Sequence, residues 1–363
     1  MRFNARHALV VAALVLLGGC AQHSMMQTGQ QEPEPIPIKF VVVTMFEIGD
    51  DEGDQPGEFQ LWKERQELDT RYPFPQGHHD IYVNEETGVL SIVTGIGTAY
   101  SSSAVMALGM DPRFDLSNAY WLIAGIAGID PEDASLGSAA WAEYVVDGDL
   151  AHHIDAREIP DDWETGYFPR DAKKPYDPNK PDPSFEVQQL NPELTDWAYE
   201  LTKDTELPNP EALEETRSLY TEHPNARKAP FVLKGDHLAA MTFWHGEIMN
   251  DWANRWVDYW TDGEGQFVTS AMEDSGSYLS LKLLDEAGLA DSDRVMVLRT
   301  GSNYTMPPPG VGAAENLVAE SEGYAGLDAA LESAYRVGET VLDEITTNWD
   351  VYRERLPTPG DID

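Results

Sequence analysis

Short apolar runs that lead into glycines mark the middle of this chain. Residues 90–93 and 119–124 are such runs, and this pattern is typical of buried strands. Between them, residues 98–110 carry small and apolar side chains at helical spacing. The order strand, glycine turn, helix, strand predicts a parallel βαβ unit with its ligand-binding edge at the glycine turns. Four glycines are therefore candidates for close backbone approach to a bound molecule: Gly95, Gly97, Gly125 and Gly128.

The remaining pattern predicts an α/β fold in one domain, residues 38–355. Polar and Pro-rich residues at about 156–230 predict an insertion over one face of the core, with few large apolar side chains. We expect further strands at 38–45, 80–84, 89–94, 138–146, 231–233, 237–244 and 294–300. We expect further helices at 58–68, 193–203, 211–222, 247–260, 270–286 and 327–349, the last with one apolar face.

The first 37 residues have the pattern of a targeting segment and a tether. Arg2 and Arg6 precede a short apolar stretch that closes at Leu17-Gly18-Gly19-Cys20, which predicts a lipoprotein signal peptide at 1–19 with Cys20 lipidated. A plain secretory signal with an incidental cysteine is the alternative. Residues 20–37 are polar and Pro-rich, as in a flexible tether. No later stretch approaches eighteen apolar residues, so we expect an exported envelope protein that is attached to a membrane through its lipid alone.

Composition excludes several classes of partner and cofactor. The chain has 24 Lys and Arg against 64 Asp and Glu, a formal charge of −40, which disfavours binding to nucleic acid and to anionic lipid. The acidic loop at 46–54 lacks EF-hand spacing, and the adjacent histidines at 78–79 and 152–153 do not resemble a two-His metal site. We predict no metal and no cofactor. The single cysteine excludes a disulfide within the chain.

Three further constellations carry side chains that suit a nucleoside. Aromatic faces such as those of Phe243 and Trp244 stack on flat bases. A carboxylate such as that of Glu273, which follows Met272, can hold sugar hydroxyls. Ser302 and Asn303, at the end of the last strand, can hydrogen-bond one edge of a purine. Together with the glycine loops, these residues predict a nucleoside pocket.

Several strings in this order resemble the nucleoside phosphorylase and nucleosidase superfamily. VTGIGTAYSSSA at 93–104 resembles its strand and glycine loop, AMEDSG at 271–276 its sugar-binding Met-Glu motif, and LRTGSN at 298–303 its R-x-x-S-D motif. The insertion, FWHG at 243–246, MEDSG, LRTGSNY and the PPPG loop resemble the purine nucleoside permease family in particular. The resemblance implies a three-layer, nucleoside-phosphorylase-like α/β fold with a central mixed sheet.

The resemblance also implies roles for single residues. Glu273 matches the position that binds the ribose hydroxyls, Met272 lies beside it under the sugar, and Phe243 matches the base-stacking aromatic. Asn303 stands where many members have an Asp that protonates the purine, and an amide cannot act as a general acid. We therefore expect Asn303 to favour 6-oxopurines. Ile123 and Ile126 occupy the positions that hold phosphate in hexameric phosphorylases.

These residues leave three functions open, all but the last with a purine nucleoside as ligand. The first is an exported nucleoside hydrolase or phosphorylase. The second is a nucleoside-binding lipoprotein that feeds a separate membrane transporter. The third is a structural lipoprotein that retained the fold. If the protein is an enzyme, we expect water to be the acceptor, since two isoleucines cannot bind a dianion. A carboxylate must then activate the water, and Glu47 is the first candidate, ahead of Asp50 and Glu58.

Overall fold

A mixed sheet of twelve strands runs through the middle of the protein, in a computed structural model that describes residues 33–183, 185–320 and 323–362. The part of the chain from Pro35 onward forms one compact unit. Its strands are β1 (Ile36–Pro37), β2 (Phe40–Thr44), β3 (Thr70–Tyr72), β4 (Ile81–Asn84), β5 (Val89–Val93), β6 (Phe114–Asp115), β7 (Tyr120–Ile129), β8 (Ala139–Ala142), β9 (Tyr144–Asp147), β10 (Ala151–His153), β11 (Tyr167–Pro169), β12 (Val187–Gln189), β13 (Val232–Lys234), β14 (Asp236–Ala239), β15 (Phe267–Ala271) and β16 (Val295–Tyr304).

Helices cover both faces of this sheet. They are α1 (Gln60–Arg65), α2 (Thr98–Gly109), α3 (Pro192–Thr202), α4 (Glu211–Ser218), α5 (Glu247–Thr261), α6 (Asp274–Glu286), α7 (Ala313–Glu320), α8 (Leu327–Thr347) and α9 (Trp349–Tyr352).

The ten-residue strand β7 is the centre of the sheet. It pairs in parallel with β2 on one side and with β16 along its length on the other. Beyond the end of β2, it pairs in antiparallel fashion with β15 through Gly128 and Ile129. The main strand order is β12-β9-β14-β15-β7-β2-β5-β4-β3, with β16 joining β7 to β8. The sheet is therefore mixed, and its parallel strands end at a common edge.

The alternation of side chains along β2 shows how the layers form. All five residues of β2 are buried, because both faces of the sheet are covered. Val41 and Val43 pack in the apolar cluster that contains Val105 of α2 and Leu281 of α6. Phe40 and Val42 face the opposite cluster, which contains apolar residues of α1, α3 and α8. This arrangement confirms the predicted three-layer α/β fold with a central mixed sheet.

The predicted βαβ unit forms, with one addition. Strands β5 and β7 run in the same direction and α2 connects them, but β2 lies between them in the sheet. The predicted hairpin of β4 and β5 is antiparallel, as expected from the turn at Glu85–Gly88. The closing helix α8 presents the predicted apolar face, which includes Leu331, Val341 and Ile345.

Two element predictions are wrong, and a third, the strand expected at 237–244, is too long, since β14 ends at Ala239. The strand expected at 138–146 is two strands, because Glu143 and Tyr144 donate their N–H groups to the carboxylate of Asp236, which interrupts the ladder. The helix expected at 270–286 begins only at Asp274, since 267–271 form strand β15, which pairs with both β14 and β7. Tertiary pairing decides both cases, and a local pattern does not report it.

The 156–230 segment is built into the domain. Strand β12 adds to the sheet beside β9, and α3 buries Leu194 and Trp197 against the core next to α8. At the N-terminal side, Ile36 and Pro37 pair with Phe114 and Asp115, so part of the expected tether belongs to the fold. The predicted signal peptide at 1–19 and Cys20 lie outside the described residues. Within the ranges that the structure describes, no helix is both long enough and apolar enough to cross a bilayer.

Candidate functional site

A cavity opens at the edge of the sheet where the parallel strands end. Met45 and Phe46 follow β2, Ile96 follows β5, and Ser302 lies near the end of β16; all of them line the cavity. Its other walls come from Ile126 to Gly128 of β7, from the end of β15, and from loop residues. The cavity is also lined by Glu58, Phe243, Met272, Glu273, Arg299, Asn303 and Tyr324. The cavity therefore lies where α/β folds bind ligands.

The guanidinium of Arg299 is the electrostatic centre of this cavity. Arg299 lies in β16 and is 1% exposed. Its Nε and Nη2 donate to the two carboxylate oxygens of Asp274 at 3.0 and 2.6 Å, and Nη2 also donates to Glu273 at 3.1 Å. Its Nη1 donates to the carbonyl of Ile126 at 3.0 Å. Burial opposes the charge, but these carboxylates outweigh burial and raise the pKa of Arg299, so it stays cationic.

Asp274 binds the guanidinium of Arg299 and is itself in contact with His237. The Asp274 carboxylate is fully buried, and its Oδ2 lies 3.0 Å from Nε2 of His237. The other ring nitrogen of His237 lies 2.9 Å from Oγ1 of Thr269 in β15. Burial alone would raise the pKa of Asp274, but Arg299 and His237 outweigh it and hold the pKa well below its usual range. Asp274 is therefore ionised, and it holds Arg299 in place without lining the cavity itself.

Glu58 approaches the same centre from the loop that precedes α1. Its Oε2 accepts the N–H of Met45 and its Oε1 accepts the N–H of Ile126, each at 2.8 Å. Burial raises the pKa of Glu58 to about 8; the charge of Arg299 acts to lower it and that of Glu273 acts to raise it. A carboxyl group with this pKa exchanges protons near neutral pH, which is the property of a general base or acid.

Glu273 links the glycine loop to the end of β15. Its Oε1 accepts the N–H of Gly97 at 2.9 Å, and its Oε2 accepts the N–H of Met272 at 3.2 Å as well as the bond from Arg299. Gly97 adopts a φ of +100° just before α2, a conformation that L side chains rarely adopt. Two carboxylate oxygens offer about four acceptor sites, so Glu273 retains about one for a ligand.

Two aromatic rings flank the mouth of the cavity. Phe243 and Tyr324 both line it, and their rings are parallel, with an interplanar angle of 8° and 6.4 Å between centroids. Phe243 is 46% exposed, so part of its ring is accessible to a ligand. Trp244 does not line this cavity but an adjoining smaller one, and it packs against Trp252. The structure thus brings Phe243 into the site and sets Trp244 behind it.

Ser302 and Asn303 reach the cavity from β16, close to a shift in the pairing register with β7. The hydroxyl of Ser302 lies 3.0 Å from Oδ1 of Asn303, and Nδ2 of Asn303 lies 3.3 Å from the carbonyl of Tyr304. Both side chains are buried. The structure therefore groups five sequence-predicted residues at one cavity: Phe243, Met272, Glu273, Ser302 and Asn303.

Of the other predicted glycines, Gly125 has the clearest structural requirement. A Cβ at this position would lie 2.4 Å from Oε1 of Glu58 and 2.6 Å from Nη1 of Arg299. Gly95 has a φ of +88° and donates its N–H to the carbonyl of Met45, so it shapes the loop rather than lining the cavity. The glycines thus let charged side chains and loops come close together beside the cavity.

Glu47 lies in the same loop as Glu58 but does not line the cavity. Its carboxylate accepts the N–H groups of Ile48, Gly57, Phe59 and Gln60, so it orders the loop at the start of α1. This geometry favours Glu58 over Glu47 as a carboxylate that meets a ligand. Which of the two acts as the base, with Glu47 expected ahead of Glu58 from the sequence, stays a prediction.

Sequence reasoning missed three participants in this site. Arg299 lies within the string LRTGSN and Asp274 within AMEDSG, but no role was predicted for either side chain. Tyr324 follows the PPPG loop and carries no motif. A buried arginine in an apolar strand needs an anionic partner, and that signal points to the neighbouring Glu-Asp pair at 273–274.

Comparison with known proteins fits this geometry. The family model for purine nucleoside permease (NUP) matches residues 37–357. The chain belongs to the purine nucleoside permease family. A purine nucleoside permease of Candida albicans is 32% identical over 277 residues, 75% of this chain and 67% of that protein. A probable purine nucleoside permease of Schizosaccharomyces pombe is 31% identical over 288 residues, 77% of this chain and 80% of that protein.

Solved structures that are similar to this chain include a futalosine hydrolase and an MTAN protein. Futalosine hydrolase of Helicobacter pylori superposes with a TM-score of 0.52 at 13% identity, covering 85% of this chain and 98% of that one. A Helicobacter pylori MTAN mutant with 5′-methylthioadenosine in its active site gives 0.52 at 14% identity, covering 85% and 99%. At this identity the likeness establishes the nucleoside-phosphorylase-like fold.

Proposed function

We propose that this permease-family protein binds purine nucleosides in the cavity and cleaves their N-glycosidic bond with water as the acceptor. The observation that carries the proposal is the pairing of two buried carboxyl groups, Glu58 and Glu273, around an arginine whose three nitrogens all donate to groups of the protein. Two parallel aromatic rings stand at the mouth of the same cavity. These features together match the sugar, the reacting bond and the base of a nucleoside.

Binding follows from the chemistry of each wall. A purine stacks on the face of Phe243 or Tyr324, which contributes about 1–3 kcal/mol per base in other proteins. The acceptor site that remains on Glu273 takes a ribose hydroxyl in a charge-assisted hydrogen bond. Asn303 reaches the edge of the base. The net charge of −40 favours a neutral nucleoside over a charged nucleotide.

Water is favoured over phosphate because the cavity offers no available cation. Among the described residues that line it, Arg299 is the only Lys or Arg, and its guanidinium is committed to Asp274, Glu273 and the Ile126 carbonyl. A phosphate dianion would have to approach Glu58 and Glu273 without a partner, and burying an unpaired charge is very costly. Ile123 is in the core, and Ile126 contributes backbone groups to Glu58 and Arg299.

Glu58 is the group that activates the water. The bond between the sugar and the base breaks and its electron pair stays with the purine, which is protonated from solvent. The water oxygen then bonds to the sugar carbon, and Glu58 takes the water's proton. Glu273 and the ionised network around Arg299 stabilise the positive charge that develops on the sugar.

Two alternatives have specific support. The names of the relatives favour a nucleoside-binding protein that passes its ligand to a separate membrane transporter. The N–H groups of Gly95 and Gly97 are already donated to Met45 and Glu273, so the support for a phosphate-dependent phosphorylase is the uncapped N-terminus of α2 that follows this loop. The test is to incubate the purified protein with inosine, with and without excess phosphate, and to identify the products by chromatography. We expect hypoxanthine with ribose in both cases; ribose 1-phosphate indicates the phosphorylase, and binding without turnover indicates the transport protein.

We also propose that the protein is a lipid-anchored envelope protein attached through Cys20. The support is the LGGC string after the apolar stretch of the first twenty residues. Expression of Cys20→Ser in the native host, followed by fractionation, is the test. We expect the variant in the soluble fraction, whereas a variant that stays with the membranes removes this proposal.

A further inference from the structure

A second chamber lies directly behind Asn303. Ser302 and Asn303 line it as well as the nucleoside cavity, so their side chains form the partition between the two spaces. The far wall of the chamber is formed by Asn316 and Glu320 of α7, and its sides by Tyr220 and Tyr304. A change in the charge of Glu320 can therefore affect the nucleoside cavity through the side chain of Asn303.

Glu320 is an unusual carboxyl group in this chamber. Its Oε1 accepts a hydrogen bond from Nδ2 of Asn316 at 2.8 Å, whereas its Oε2 is buried and makes no hydrogen bond with a described residue. Burial raises the pKa of Glu320 to about 7, although the amides of Asn316 and Asn303 act in the opposite direction. The carboxyl group thus populates both its charged and its neutral form near neutral pH.

The groups that face Glu320 do not titrate in the same range. Tyr220 and Tyr304 line the chamber, and Tyr324 is close enough to interact electrostatically with Glu320. Burial raises the pKa of each of these phenols above its usual value, so all three stay neutral at neutral pH. Arg217, a neighbour of Tyr304, does not line the chamber. Glu320 is therefore the group whose charge changes there.

The two forms of Glu320 require opposite orientations of the Asn303 amide. A carboxylate only accepts hydrogen bonds, so it attracts Nδ2 and leaves Oδ1 toward Ser302; in the structure Oδ1 accepts from the hydroxyl of Ser302, and Nδ2 donates to the carbonyl of Tyr304. A protonated carboxyl group donates, so it attracts Oδ1 and releases Nδ2. The hydroxyl of Ser302 is compatible with both orientations, since it can donate or accept.

We propose that Glu320 is a positioning residue that selects which end of the Asn303 amide meets the purine. When Glu320 is protonated, an N–H group points to the cavity and suits the 6-oxo group of hypoxanthine or guanine. When Glu320 is ionised, a C=O group points there and suits the 6-amino group of adenine. Base preference then depends on pH. This inference rests on the proposed binding of nucleosides in the cavity.

The first test compares inosine with adenosine at about pH 6 and about pH 8.5. The ratio of their kcat/KM values, or of their binding constants if turnover is absent, should fall about tenfold across this range, as one hydrogen bond is exchanged for a mismatch. The titration of Glu58 affects both nucleosides alike and cancels in the ratio. Glu320→Gln should make the ratio independent of pH. The control Glu315→Gln, which changes an exposed carboxyl group of the same helix, should keep the pH dependence of the ratio. A ratio that is constant in the unmodified protein, or that still shifts in Glu320→Gln, overturns the proposal.

The second test needs no nucleoside. The side-chain NH₂ signals of Asn303, identified by their loss in Asn303→Asp, are followed by NMR against pH. They should titrate with a midpoint near 7 and stop doing so in Glu320→Gln. If they titrate but no nucleoside binds, the proposed function fails and the coupling stands. If nucleosides bind but the signals do not titrate, the coupling fails and the proposed function stands.

Discussion

Glu58 is the residue on which the proposed chemistry depends most. A general base contributes about 10²–10⁴-fold to rate, so Glu58→Gln should reduce kcat for inosine cleavage at least about hundredfold. Its binding of inosine should change little, because Glu273 and the aromatic rings remain. The raised pKa also predicts that kcat/KM increases with pH up to about 8, as Glu58 loses its proton, and that the variant lacks this increase.

Glu47→Gln is the matched control for that experiment. Glu47 lies in the same loop, and its carboxylate is bound to backbone N–H groups such as those of Phe59 and Gln60. Glu47→Gln should lower the melting temperature while retaining the increase of kcat/KM with pH. Loss of that increase in Glu47→Gln, with its retention in Glu58→Gln, would make Glu47 the base.

Glu273 should discriminate between sugars. With about one acceptor site free, it binds one ribose hydroxyl, where the resemblance implies two. Glu273→Gln should weaken inosine binding at least about tenfold, since charge-assisted hydrogen bonds contribute about 1.5–3 kcal/mol. It should also lower the melting temperature, because Arg299 loses one of its two carboxylate partners.

Calorimetry with inosine, 2′-deoxyinosine and 3′-deoxyinosine measures this effect. The unmodified protein should bind one deoxynucleoside clearly more weakly than inosine, and Glu273→Gln should bind all three with similar affinity. A variant that keeps the discrimination would show that another residue recognises the hydroxyl.

The sequence allowed some of these residues to be predicted and not others, for a physical reason. Phe243, Met272, Glu273 and Asn303 lie in short motifs, and all four line the cavity. Glu58 is thirteen positions from Met45, and their hydrogen bond depends on how the intervening loop folds. A loop path of this kind leaves no periodic pattern in the sequence, so the choice between Glu47 and Glu58 required the structure.

At the scale of elements, strand β7 connects the core to the site. Its outer part supplies the N–H of Ile126 to Glu58 and the C=O of Ile126 to Arg299. Both charged side chains approach the strand over Gly125, where a Cβ would come within 2.6 Å of each. A central strand, fixed on both sides by pairing, therefore sets the distance between the two groups.

Gly125→Ala tests this role of β7. The methyl group must displace Glu58 or Arg299, so we expect lower stability and a loss of cleavage similar to that of Glu58→Gln. Gly360→Ala is the control, because its nearest atom, Oγ1 of Thr358, lies at 3.7 Å, an ordinary contact. Thermal melting and inosine cleavage are measured for both. An unchanged rate in Gly125→Ala would mean that the groups adjust without cost.

The elements that sequence predicted best are those with strong local patterns. Helices α2 and α8 and the hairpin of β4 and β5 were located within a few residues. Strand β15 was missed because its last residues, Ser270 and Ala271, also suit the start of a helix. Its strand conformation comes from pairing with β14 and β7, which are distant in sequence.

For the whole molecule, the order of short motifs was enough to predict the fold and the family. The motifs that indicate the three-layer fold follow one another along the chain in the expected order. The insertion at 156–230 separates them but does not change that order. The partition between the cavity and the chamber behind Asn303 was not predictable from the sequence. Helix α7 forms the far wall of the chamber but has no buried residues, so no apolar pattern indicates that it packs there.

The whole molecule should lose stability as the pH rises from about 6 to about 9. Three partly or fully buried carboxyl groups have a pKa raised to between about 7 and about 8: about 8 for Glu58, about 7 for Asp133 and about 7 for Glu320, in each case chiefly because of burial. The unfolded chain loses these protons near its ordinary values of 4.5 and 3.8, whereas the folded chain still holds them at pH 6. Each such proton makes the free energy of unfolding fall by about 1.4 kcal/mol per pH unit until the folded group ionises.

Thermal melting at fixed ionic strength checks this expectation, since constant salt keeps the screening of the net charge of −40 unchanged. The melting temperature should fall across this range. In Glu58→Gln the fall should be smaller, because one of the three groups no longer titrates, and the difference between the two proteins should build up below about pH 8 and stop growing once Glu58 is ionised. A melting temperature that stays constant or rises from pH 6 to pH 9 would mean that these carboxyl groups are already ionised in the folded protein. Glu58 would then act as a base without a raised pKa, and cleavage would be as fast at pH 6 as at pH 8.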